Sequence, residues 1–191
     1  MRDRSNGYEA LAGDFILARS SQIGLATVRR WAERLGAGAA ILDLGCGHGV
    51  PLARGLREDG FAVYGVDASA TLLAKFRERL PDAPTECGAA EEATLFGRTF
   101  DGVLAWGLLF LMRPEEQRRV IGRAAEALQA GGAFLFTAPR EVLHWNDAMT
   151  GLRSESLGQA ECARVLAAHG FALVGHEVDE GENYYYFAVK Q

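Results

Sequence analysis

The sequence has no basic run longer than a pair, no apolar stretch of membrane-spanning length, and only three cysteines. The basic pairs, Arg29-Arg30 and Arg118-Arg119, fall in helical patterns and read as solvated faces. With a formal net charge of −5, their sparseness argues against a nucleic-acid partner or an acidic membrane surface. Cys46, Cys87 and Cys162 form no C-x-x-C, so neither a disulfide framework nor a thiolate metal site is expected. Four histidines without paired spacing add no metal site. The first seven residues, Met1 to Gly7, lack the hydrophobic segment of a signal peptide. These absences leave a cytoplasmic protein as the expectation, with its oligomeric state open.

Apolar residues make up 49% of the 191, enough for one domain with a good-sized core. The most informative stretch is Ile41-Leu42-Asp43-Leu44-Gly45-Cys46-Gly47-His48-Gly49. A short apolar run reads as a buried parallel strand, then breaks into three glycines at alternate positions. Glycines there let backbone approach a ligand with no Cβ in the way. A helical stretch ends at Gly60, and a second strand, 62–66, delivers Asp67. Strand, glycine turn, helix, strand and terminal acid is how half of a doubly wound sheet binds an adenosine ribose. The third small residue of a dinucleotide fingerprint would fall on Val50, and no Gly-Lys-Ser/Thr follows, so a pyrophosphate ligand is disfavoured.

The remaining pattern alternates helices and strands. Helices are expected over 8–18 and 21–36, the second burying Leu25, Val28, Trp31, Ala32 and Leu35. Ser69 caps a helix whose stripe is Leu72, Leu73, Phe76 and Leu80. A short strand lies at 85–88 and a stronger one at 100–106. Pro114-Glu115-Glu116 opens a helix that Gly131-Gly132 ends, before a strand over 133–138. Residues 140–156 have little periodicity and are expected to be a functional or mobile loop. A helix over 160–169 precedes two apolar runs that read as an antiparallel hairpin at the sheet edge. The expected fold is α/β: a doubly wound, Rossmann-like, seven-stranded and mostly parallel sheet with that hairpin, and helices on both faces.

Ile41 to Gly49 resembles the first motif of the class I S-adenosylmethionine-dependent methyltransferases, and the resemblance covers nearly the whole chain. Tyr8 to Ala12, with Phe15 and Arg19, is similar to the helix that covers the cofactor in many small members. Gly88-Ala89-Ala90-Glu91 and Phe100-Asp101 sit at the family's spacing, and Leu128-Gln129-Ala130-Gly131-Gly132 resembles its L-x-P-G-G turn. The resemblance implies three parts: covering helices at 1–38, a cofactor-binding core at 39–139, and an acceptor loop, helix and hairpin at 140–191. It implies that Gly45, Cys46, Gly47 and Gly49 lie against the methionine part of S-adenosylmethionine, with Asp43 reaching its amino group. Asp67 would take the ribose hydroxyls and Ala68 pack on adenine, while Ala90 and Glu91 flank the adenine edge. Ala105 and Trp106 would close the pocket, and Tyr8 and Arg19 hold the carboxylate. Many relatives carry Asp where this chain has Ala89, so Glu91 or a backbone carbonyl must serve the adenine amine.

Methyl transfer needs in-line positioning away from water, and a base only where the acceptor must lose a proton. His144 is the base candidate, since its ordinary pKa suits the task. His48 is expected to tune the glycine turn. Trp106, Phe110, Trp145, Met149, Tyr184 and Tyr186 are candidates to line an aromatic pocket for a small organic acceptor. By alternation Tyr184 and Tyr186 share one face of their strand and Tyr185 the other. Two other readings stay open: a nucleotide- or NAD-type oxidoreductase, whose ribose Asp67 would equally serve, and a non-catalytic cofactor-binding domain.

Overall fold

The computed structural model describes residues 3–19 and 22–191. Seven strands form one sheet in the order β3-β2-β1-β4-β5-β9-β8. They are β1 Ala40–Leu44, β2 Ala62–Asp67, β3 Thr85–Cys87, β4 Phe100–Ala105, β5 Leu128–Thr137, β8 Phe171–Val178 and β9 Tyr184–Lys190. The first five are mutually parallel, and β9 runs antiparallel to both its neighbours. The closing hairpin is therefore inserted in reverse: its second strand sits inside and β8 forms the edge. Order turns about at β1 and β4, which places the ligand crevice beyond their carboxyl ends.

Each central strand buries both faces, as its near-continuous apolar run requires. Ile41, Val63, Leu104, Leu135 and Tyr185 face one core, closed by α2 (Leu25–Ala32), α3 (Leu52–Glu58) and α4 (Ala70–Arg79). Leu42, Val66, Val103, Phe134, Phe136 and Tyr186 face the other, closed by α5 (Pro114–Ala127) and α6 (Gln159–Ala168). Ser69 caps α4 as expected, accepting the Leu72 N–H at 3.1 Å. Pro114 opens α5, where the Glu116 carboxylate takes the Arg113 N–H at 3.0 Å.

The boundaries depart from the sequence reading in four places. The first helix, α1, is only Ala12–Ala18, preceded by turns. The second stops at Ala32 and continues as a 3₁₀ turn over 33–35; residues 20–21 lie outside the described ones. Helix α5 passes directly into β5: Leu128 pairs with Phe100 and Ala133 with Gly102, so residues 129–132 bulge out inside the strand. Most consequential, 140–156 is not irregular. It folds into a separate antiparallel hairpin, β6 (His144–Asn146) with β7 (Arg153–Glu155). Asp147 makes its turn by accepting the N–H groups of Met149 and Thr150, a local side-chain turn that leaves no periodicity to read. Among the described residues no helix is long and apolar enough to cross a membrane.

Candidate functional site

A cavity of about 300 Å³ lies at the carboxyl ends of β1, β2 and β4. Its floor is the glycine turn. Gly45, Gly47 and Gly49 all have positive φ, at +72°, +53° and +83°. A Cβ would meet Leu108 at 3.0 Å from Gly45 and Phe76 at 2.9 Å from Gly49, whereas from Gly47 the nearest atom is Phe15 at 3.5 Å. The outer glycines are thus required by packing as well as by φ, and the middle one leaves its backbone open to the cavity side. Cys46 is buried, with its thiol pushed well up by burial. It packs beneath the turn and also lines the cavity.

Asp67, ending β2, fixes this turn from across the strand boundary. Its Oδ2 accepts the Gly47 N–H and its Oδ1 the Ser69 N–H, both at 2.8 Å. Burial raises its pKa, and those backbone donors oppose the rise. Asp43, in β1, is 3% exposed, and its pKa climbs to about 8 through burial and the nearby Asp67 charge, with Arg19 pulling the other way. Two carboxyls and one guanidinium therefore share a buried site, where Asp67 carries the charge opposite to that of Arg19 and Asp43 stays largely protonated near neutral pH.

Trp106 closes the cavity from beyond β4 and is held by a polar chain. Its Nε1 donates to the Tyr185 oxygen at 2.6 Å, and the Tyr185 hydroxyl donates to Asp179 Oδ2 at 2.7 Å. Arg19 lies over the indole face, 4.0 Å from the ring centroid. Ala105 is fully buried below and does not line the space. At the opposite end Ala68, Ala89, Ala90 and Glu91 line the wall. Glu91 pairs with Arg4 through Oε1, while Oε2 is buried with no partner among the described residues. That orphan acceptor stands two residues from the alanine where relatives carry an acid.

The segment before β1 straps over the cavity. Arg4, Tyr8, Phe15 and Arg19 all line it. Glu9 fastens the strap to the start of α4, accepting from Ser69 Oγ at 2.5 Å and from Thr71 Oγ1 at 2.7 Å. Tyr8 packs edge-on to Phe15 at 5.3 Å, and Phe15 meets the His48 ring at 5.6 Å. His48 is 3% exposed; burial and the Arg79 charge lower its pKa to about 4. It is a neutral ring that fixes the turn, its Nδ1 accepting the Val50 N–H at 3.3 Å.

The acceptor side differs from the sequence expectation. Phe110 lines the cavity, and Trp145 packs behind it at 5.6 Å. His144 is exposed on β6 opposite Glu155, outside the cavity. Tyr186 is fully buried, stacked on Phe136 at 4.6 Å, and Tyr184 contacts Tyr186 at 5.2 Å; neither lines the cavity, because their face of β9 packs under α6. Met149 also stays outside. The alternation itself holds: Tyr185 points to the opposite core and supports Trp106. Several lining residues carried no sequence signal, Arg4 and Asp147 among them. Asp147 lies three residues past His144, and only the hairpin turn brings it inward.

Residues 41–132 match the family model described as "Methyltransferase domain". The chain is similar to the carboxy-S-adenosyl-L-methionine synthase of Chromohalobacter salexigens, 34% identical over 114 residues, covering 56% of this chain and 42% of that protein. It spans about half the length, or less, of the curated relatives it matches. In fold it is similar to the magnesium protoporphyrin IX methyltransferase of Synechocystis solved with bound S-adenosylmethionine, at a TM-score of 0.76 and 17% identity, covering 100% of this chain and 98% of that one. It is likewise similar to CalS10 from Micromonospora echinaspora, an amino pentose methyltransferase also solved with S-adenosylmethionine, at 0.73 and 18%, covering 95% and 96%.

Proposed function

We propose that this chain, whose residues 41–132 match a methyltransferase domain, is a class I, S-adenosylmethionine-dependent methyltransferase that transfers the methyl group to a small organic acceptor. The observation that carries the reading is the joint geometry of the glycine turn and Asp67: three positive-φ glycines beside a carboxylate that bonds Gly47 and Ser69 and lines the same cavity as Asp43.

The bound cofactor would supply a methyl group already activated on a sulfonium. The chain's part is binding, orientation and exclusion of water. Asp67, held on both oxygens by backbone donors, offers its remaining lone pairs to the ribose hydroxyls. Arg19 stands for the carboxylate of the methionine part and Asp43 for its amino group, whose positive charge would favour the ionised carboxyl, and Glu91 Oε2 is an acceptor for the adenine amine. In this reading residues 39–139 hold the cofactor and 3–19 cover it, while α2, expected as part of the cover, packs on the sheet instead. A cavity of this size with an aromatic wall at Trp106 and Phe110 suits a small acceptor better than a protein or nucleic acid.

Calorimetric titration with S-adenosylmethionine, S-adenosylhomocysteine and NAD tests this reading. The expected result is dissociation constants of order micromolar for both sulfur compounds and no binding of NAD. Binding of NAD alone would replace this reading with that of an oxidoreductase. Binding without homocysteine-linked product from any small-molecule pool would leave a non-catalytic binding domain.

A further inference from the structure

We propose that Asp147 is the residue that receives the methyl acceptor, and that the acceptor is an amine entering as its ammonium form. The proposal rests on the methyltransferase reading above. Asp147 is at the turn between β6 and β7 and lines the cavity on the side of Tyr8 and Phe110. Its two oxygens are unlike. Oδ1 takes three donors, the Met149 N–H at 3.0 Å, the Thr150 N–H at 2.8 Å and Thr150 Oγ1 at 3.1 Å. Oδ2 takes only the Tyr8 hydroxyl, at 3.2 Å. One oxygen is saturated and anchors the group; the other keeps acceptor capacity. An Asx-type turn alone needs an oxygen and no charge.

The charges around the cavity point the same way. Among the described residues its lining has six carboxyl groups (Asp3, Asp43, Asp67, Glu91, Glu116 and Asp147), of which Asp43 is largely protonated near neutral pH, and two guanidiniums. Arg4 is taken up by Glu91 and stands 3.6 Å from Glu116. Arg19 lies on Trp106, where its charge acts on Asp43. Asp3 is capped by the N–H groups of Ser5 and Gly7, and Asp67 by those of Gly47 and Ser69. Asp147 meets only neutral donors, and no Lys or Arg side chain pairs with it among the described residues. A cavity with surplus negative charge and aromatic walls attracts a cation and repels a carboxylate. Once the ammonium is held, an N–H bond breaks, its electron pair remains on nitrogen as the lone pair needed for attack, and the proton passes to Asp147 Oδ2. His144, the base candidate from sequence, is outside the cavity and takes no part.

The test is calorimetric titration of benzylamine, benzyl alcohol and phenylacetate into the protein saturated with S-adenosylhomocysteine, a binding readout that needs no turnover. Benzylamine should bind about tenfold or more tighter than benzyl alcohol, with phenylacetate weakest. Asp147→Asn, which keeps an oxygen for the three anchoring donors and so preserves the turn, should lose that preference with unchanged melting temperature and S-adenosylhomocysteine affinity. Asp147→Glu, which keeps the charge, should retain a preference for the amine. An undiminished amine preference in Asp147→Asn, a preference for the alcohol or the carboxylate, or no binding of any of the three overturns the proposal. Failure of S-adenosylhomocysteine itself to bind counts against the methyltransferase reading; the same three titrations without it then still decide whether Asp147 selects amines.

Discussion

At the residue scale the site is governed by carboxyls out of water. Asp43 has a pKa of about 8 in the fold against an ordinary value of 3.8. A raised carboxyl favours folding below the unfolded pKa and costs stability as pH rises through the folded one. Asp43→Asn should therefore stabilise the unliganded protein at pH 8 by several kcal/mol, up to about 5, a gain that fades as pH falls toward 4, in chemical denaturation across that range. The same variant should weaken binding of the sulfur cofactors, since the carboxylate is their proposed amine partner. A pH-independent difference would show that Asp43 does not titrate as described. Tyr185→Phe leaves the Trp106 indole N–H without its 2.6 Å partner and should cost about 1–3 kcal/mol, with a change in Trp106 fluorescence. The placement of Asp43, Asp67 and the glycines at one cavity was legible in sequence because it follows from positions along a single strand–turn–strand unit. Asp147, Arg4 and the Tyr185 hydroxyl were not, because each reaches its partner across 79 or more residues of chain.

At the scale of elements, the strap and the β6–β7 hairpin meet over the cavity, joined by Tyr8 and Asp147. The strap is fastened to α4 by one exposed side chain, Glu9, whose pKa is lowered by its Ser69 and Thr71 hydrogen bonds. Glu9→Ala should change global stability by less than about 1 kcal/mol while raising amide exchange in residues 5–18, measured by hydrogen–deuterium exchange. Unchanged exchange would mean that the Arg4 ion pairs, the Tyr8–Asp147 hydrogen bond and the aromatic contacts of Tyr8 and Phe15 hold the strap without Glu9. The glycine turn is the rigid counterpart. Gly45→Ala combines a φ of +72° with a 3.0 Å approach to Leu108 and should cost about 1–3 kcal/mol, with loss of cofactor binding. The hairpin shows why a polar stretch without periodicity is hard to read. Three-residue strands carry almost no alternation, and their turn depends on one aspartate bonding its own neighbours.

At the scale of the molecule, the parallel strands, the helices on both faces and the ligand end of the sheet were all visible in hydrophobic pattern. What pattern could not give is strand order at the edge. The runs at 171–178 and 184–190 read as a hairpin, but local sequence does not say that β9 enters between β5 and β8. That insertion buries Tyr186 against Phe136 and turns Tyr185 toward Trp106. It also removes Tyr184 and Tyr186 from the acceptor wall. The sheet order brings the ends of β1, β2 and β4 to one cavity, and the central claim is that this cavity binds S-adenosylmethionine through Asp67. Calorimetric titration of S-adenosylhomocysteine into the native protein and Asp67→Ala tests it most directly. The expected result is binding of order micromolar to the native protein and a loss of about 1–3 kcal/mol, roughly tenfold to a hundredfold, in the variant. Equal affinity in both proteins, or none in either, would contradict it.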